Sequence, residues 1–206
     1  MAVFVPAPRI DIMSVESLAD EVRACRVCAG ALAHEPRPIL RVSRTARLLV
    51  VGQAPGRRVH ETGIPWNDPS GQRLRQWLDL PPDDFYDESR VAIVPIGMCY
   101  PGTADGSDLP PRPECAPLWH PRIRAALSRV QFTLLVGSYA QAFYLGRRRK
   151  TSMTETVRAF QDYLPDCLPL PHPSWRNSGW LTRNPWFEER LLPELRAHVR
   201  RMMTRV

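Results

Sequence analysis

The sequence has no apolar run of membrane-spanning length, and its first twenty residues, MAVFVPAPRIDIMSVESLAD, lack the basic start and unbroken apolar stretch of a secretory signal. Both absences point away from membranes and secretion and towards a protein that works inside the cell, in the cytoplasm. Internal repeats and low-complexity tracts are missing too. Acidic residues fall short of basic ones, 21 Asp and Glu against 28 Lys and Arg, and the resulting charge of +7 draws polyanions without saying which. A length of 206 residues suffices for one substantial core, and nothing in the sequence suggests a second of comparable size. The expectation is therefore a single domain.

Apolar runs at Leu48 to Val51, Val91 to Ile96 and Phe132 to Val136, with a weaker fourth at Cys167 to Leu170, read as strands buried on both faces. Helical patterns lie around and between them. Ser14 is a fair N-cap for Val15, Leu18 and Val22, on a helix ending near Cys25. Leu74, Trp77 and Leu78, then Leu118 to Leu127, then Tyr139 to Leu145 supply three more. At the C-terminus Asn184 and Pro185 read as an N-cap and N1 pair before a stripe of Phe187, Leu191, Leu195 and Val199, which Pro193 is expected to kink. Alternating strand and helix implies a parallel sheet covered on both sides, an α/β sandwich, with ligands at the carboxyl ends of the strands.

In a reducing compartment the five cysteines bind metal, react or sit buried, rather than pairing as disulfides. Cys25 and Cys28 form C-x-x-C, and Cys99 and Cys115 bracket the segment CYPGTADGSDLPPRPEC. Two pairs on irregular segments can give four thiolates to one centre, zinc or a 4Fe-4S cluster alike. The plainer alternative is that these four cysteines simply fill core space. Cys167, inside the fourth strand, reads as buried and inert.

Four pieces then suggest a family. GQAPG at 52–56, TGIPW with NDPSG at 62–71, HPSWRNSGWLT at 172–182 and the cysteine spacing together resemble the iron–sulfur branch of the uracil-DNA glycosylase superfamily, closest to its fourth and fifth families. The resemblance runs from Cys25 to Thr182, in the right order. It implies a three-layer αβα sandwich with a four-stranded parallel sheet, residues 14–206 forming the glycosylase-like domain behind an N-terminal extension of residues 1–13. It also implies a monomer that excises uracil or another deaminated base from DNA, in the nucleoid, with a 4Fe-4S cluster on Cys25, Cys28, Cys99 and Cys115; zinc is the alternative.

Breaking the bond between base and deoxyribose gives the sugar oxocarbenium character, so donors must meet the departing base and a carboxylate must guide water. The resemblance assigns the donor role to the backbone N–H groups of Gln53 and Ala54, after Gly52, and to His172. GQAPG lacks the Lys and Ser/Thr of a phosphate-binding P-loop and the third glycine of a dinucleotide fingerprint. Aspartate is also missing at Ala54, where the best-known uracil excisers carry it. Asp68, one residue off the fifth family's spacing, is the replacement candidate, although Asp68 before Pro69 is equally a helix cap. His60 and Glu61 are reserves.

Trp66 is placed to stack on a flipped base, against the alternative of core packing. Pro95 stands where the fourth family has a uracil-reading asparagine, which widens the expected substrates to hypoxanthine or xanthine. Asn177 resembles an asparagine of the fifth family's second motif. Ser174 is expected on a phosphate, Trp175 and Arg176 as a wedge into the DNA, and Arg147 to Lys150 on phosphates or merely in solvent. The competing readings are a non-catalytic DNA-binding member of the same fold and a small nucleotide- or metal-binding protein.

Overall fold

The computed structural model describes residues 14–204, so the expected extension at residues 1–13 lies outside the described residues. The strands are β1 (Leu48–Val51), β2 (Val91–Ile93), β3 (Thr103–Ala104), β4 (Ser107–Asp108), β5 (Phe132–Val136) and β6 (Cys167–Leu170). The helices are α1 (Val15–Arg23), α2 (Arg57–Thr62), α3 (Pro69–Leu78), α4 (Pro82–Phe85), α5 (Cys115–Ala126), α6 (Ser138–Leu145), α7 (Met153–Arg158), α8 (Ser178–Arg183) and α9 (Leu192–Thr204).

β1, β2, β5 and β6 form one sheet in the order β2-β1-β5-β6, parallel throughout, with Leu48 level with both Val91 and Phe132. The strands are apolar along their length because both faces are covered. Leu49, Val51, Ala92 and Leu135 pack under α1, α5 and α6. Leu48, Val50, Ile93, Leu134 and Leu168 face α3, α7 and α9. This is the expected α/β sandwich with its four-stranded parallel sheet.

Several boundaries differ from the sequence pattern. β2 stops at Ile93, although Val94, Ile96 and Gly97 still donate to Val50, Gly52 and Gln53; Pro95 is tolerated between them because its nitrogen faces away from β1. α5 starts at Cys115, three residues early, since Pro117 falls in the first turn where its missing N–H is harmless. Asn184 caps nothing with its side chain: Nδ2 donates to the Trp180 carbonyl at 2.8 Å and Oδ1 accepts from the Trp186 indole at 3.0 Å. The chain meets Pro193 with a π turn at Phe187–Leu191, which leaves that proline at the second position of α9.

The segment between Cys99 and Cys115 is not wholly irregular. β3 and β4 form a two-residue hairpin around Asp105 and Gly106, both at positive φ (50° and 71°), the Asp-Gly pairing such a turn favours.

Candidate active site and thiol cluster

The carboxyl ends of the strands open into a cavity of about 640 Å³. Gly52, Gln53 and Ala54 after β1, Trp66 and Asp68 before α3, and His172, Ser174, Trp175, Arg176 and Asn177 after β6 all line it. The residues expected to catalyse, bind the base or hold the DNA from these three segments therefore meet in one place, while the reserves His60 and Glu61 are not among the lining residues.

One wall of the cavity is built around Trp66. Its ring lies across Gly52 so closely that a side chain there would meet Cζ2 at 2.8 Å, and the ring centroid is 5.6 Å from that of His172. Trp66 holds a positive φ of 57°, a conformation costly for a bulky residue. Its surroundings enforce it: Arg75 donates to the Trp66 carbonyl at 3.2 Å, the Tyr86 hydroxyl donates to the Pro65 carbonyl at 3.0 Å, and Gly71 leaves room for the Trp66 backbone.

Among the described residues, the backbone N–H groups of Gln53 and Ala54 and the ring of His172 have no hydrogen-bond partner. Three donor positions thus converge on the cavity unspent, the arrangement that stabilises developing negative charge. Burial holds the His172 imidazole below its ordinary pKa, against the pull of the Asp68 charge, so the ring is neutral at neutral pH. Asn177 donates from Nδ2 to the His172 carbonyl at 2.7 Å, so its amide N–H steadies the loop that carries His172.

Asp68 does cap a helix. Its Oδ1 accepts from the Gly71 N–H at 2.7 Å at the start of α3, and among the described residues its other oxygen is uncommitted. Sequence reasoning missed Asp108. It lines the same cavity from β4, its Oδ2 lying 3.4 Å from where a side chain at Gly56 would begin. Burial raises its pKa above the usual aspartate range; the Arg176 charge opposes this and the Asp68 charge adds to it. The Asp-Gly turn was the legible signal for the hairpin that carries it.

At the mouth, Trp175 is 73 % exposed and Arg176 lies over its ring at 5.3 Å, while Arg176 Nη2 donates to the Gly106 carbonyl at 2.9 Å. Arg73 ties α3 to the same rim by donating to the Ser174 carbonyl at 3.0 Å. The run Arg147 to Lys150 is elsewhere. Tyr163, just before β6 begins, donates to the Arg148 carbonyl at 2.9 Å, which sets the run at the amino ends of the strands, away from the cavity. Lys150 is paired with Asp162 at 2.7 Å.

Pro95 lines the cavity floor and offers it no hydrogen bond. Its carbonyl points back to His120, whose Nε2 is 3.0 Å away and whose Nδ1 is 2.8 Å from the Tyr144 hydroxyl. The tautomer that satisfies both puts the proton on Nε2.

Cys25, Cys28, Cys99 and Cys115 surround a second, small hollow of about 20 Å³, with Val22, Pro36, Pro38, Leu118 and Trp119 making it apolar. Burial pushes the Cys99 thiol up to about 12 and the Cys115 thiol to about 11. Among the described residues, no three His, Cys, Asp or Glu side chains are grouped to hold one metal ion. Cys167 is apart from these four, buried in β6 as expected.

The domain has parallel strands covered by helices on both faces, with a large cavity and unspent donors at their carboxyl ends, which is where open α/β sheets bind ligands. The chain matches the family model of the uracil DNA glycosylase superfamily over residues 41–196, and it belongs to that superfamily. Members hydrolyse N-glycosyl bonds in DNA. The match takes in the cavity and the second cysteine pair, whereas Cys25 and Cys28 precede it.

Proposed function

We propose that the protein is a monofunctional DNA glycosylase of base excision repair, acting as a monomer in the cytoplasm on nucleoid DNA. It removes uracil, and other deaminated bases that the featureless Pro95 floor does not reject. The carrying observation is the convergence of unpaired Gln53 and Ala54 N–H groups, Trp66 and His172 on one cavity.

A base everted from DNA stacks on Trp66, which replaces the neighbouring bases it leaves behind in the duplex. As the glycosidic bond lengthens, negative charge grows on the base, and the N–H groups of Gln53, Ala54 and neutral His172 meet it. Asp68 orients water with the oxygen not used for capping. Trp175 and Arg176 fill the space the base vacated, and Ser174 holds a backbone phosphate.

Four thiols around one apolar hollow are a donor set for a 4Fe-4S cluster, with zinc the alternative. Cys25, Cys28, Cys99 and Cys115 would hold it, and it would tie the segment after α1 to the segment after β2.

Oligonucleotides each carrying one uracil, hypoxanthine or xanthine, probed for alkali-labile sites after incubation, test the reading. Cleavage at uracil is the expected outcome. Tight DNA binding without an alkali-labile site at any of the three makes the protein a non-catalytic DNA-binding member. Colourless protein that carries zinc instead of iron overturns the cluster.

A further inference from the structure

We infer that Asp108 is a second carboxylate of the reaction centre, the group that takes the proton of the attacking water; this rests on the glycosylase reading above. Three observations lead there. Asp108 lines the cavity from β4, with its Oδ2 3.4 Å from where a side chain at Gly56 would begin. Ala54 lines the same cavity and brings no carboxylate to it. Among the described residues its carboxyl group is in no hydrogen bond, while Asp68 spends one oxygen on Gly71.

A free carboxylate beside the reaction centre serves as a base only if it is basic enough and ionised. The charged groups acting on Asp108 are Arg176 on the turn after β6 and Asp68 at the start of α3. Burial outweighs Arg176, so the carboxyl is more basic than an ordinary aspartate. Two carboxylates in different settings divide the work. Asp68, fixed by its helix, orients the water; Asp108 accepts its proton.

The step balances. The bond from C1′ to the base breaks with its electron pair leaving on the base, where Gln53, Ala54 and His172 receive the charge. The water oxygen bonds to C1′, and the proton it sheds passes to Asp108. The products are an abasic site and the free base, protonated afterwards from solvent. The hairpin that presents Asp108 is latched by Arg176 to the turn carrying Trp175, so the catalytic carboxylate and the wedge reach the DNA on one connected rim.

The test is single-turnover cleavage of a uracil oligonucleotide across pH by the wild type, D108N, D108E and D68N, with DNA affinity and thermal midpoint measured for each. The wild-type rate falls on the acid side as Asp108 protonates. D108N loses about a hundredfold or more at neutral pH with DNA affinity and midpoint unchanged, and its remaining rate lacks that acid limb. D108E recovers part of the rate; D68N is slowed but keeps the limb. A D108N enzyme with the wild-type rate and acid limb overturns the assignment, as does a loss explained wholly by weaker DNA binding. An acid limb that D68N removes and D108N keeps also overturns it. A wild type inactive on every deaminated base is the distinct result that removes the glycosylase reading itself.

Discussion

The cavity and the thiol hollow share one strip of chain and are made of opposite materials. Pro95 floors the first, and Gly97, Met98 and Cys99 wall the second, so the few residues after β2 belong to both. The cavity is large, about 640 Å³, and keeps polar groups unpaired; the hollow is about 20 Å³ and apolar around its sulfurs. Unspent N–H groups are tolerated where a ligand will use them, and half-buried thiols gathered in apolar surroundings are the setting in which the proposed cluster would be held. Damage to the hollow should therefore fall on stability, and damage to the cavity on rate.

The largest effect is expected from the hollow. Cys115→Ser changes one atom, and a chain whose cysteines only filled space would lose little. With a cluster present, the substitution releases the iron and unties both segments, costing about 4 kcal/mol or more. The thermal midpoint should drop by about 10 °C, and the iron-to-protein ratio should fall with it. Iron retained at the wild-type ratio, with an unchanged melt, would dissolve the contrast between the two regions.

The strip itself supplies the next effect. His120 is 0 % exposed and braces the Pro95 carbonyl from behind, and burial pushes its pKa down to about 4. The unfolded chain binds a proton at this ring near pH 6.5, and the folded chain does so only near 4. Stability is thus full above about 6.5 and declines as pH falls towards 4, by about 3 kcal/mol. Denaturant unfolding at a series of pH values should show that slope, and H120Q should flatten it. An unchanged slope in H120Q would assign the acid sensitivity to other groups.

The two regions were unequally legible. The strands show as apolar runs because both faces of the sheet are covered, and the two cysteine pairs, far apart in sequence, are brought round one hollow. The loops of the cavity were found through their glycines, whose roles the structure supplies: Gly52 makes room for the Trp66 ring and Gly71 for the Trp66 backbone. Asp108 was not found, since an aspartate in a proline-rich stretch looks solvated, and only the β3–β4 hairpin folds it over Gly56. The placement of Arg147 to Lys150 was equally hidden. Four adjacent charges look alike at either end of a strand, and the carbonyl bond from Tyr163 decides which end they take.

Asp68 carries the smallest effect and the sharpest test of whether stability and rate separate. Its Oδ1 bond to Gly71 at 2.7 Å satisfies a helix N–H that would otherwise be orphaned. Asp68→Ala removes that cap, at about 1 kcal/mol, or about 2–4 °C in the thermal midpoint. Asp68→Asn keeps a capping oxygen and most of that stability while discarding the charge. If the carboxylate orients water as well as capping α3, both variants cleave slowly and only the alanine variant melts early. A melt lowered by alanine with cleavage undiminished in both would leave Asp68 a structural residue at the cavity's edge, and the chemistry would then depend on the carboxylate of the facing hairpin alone.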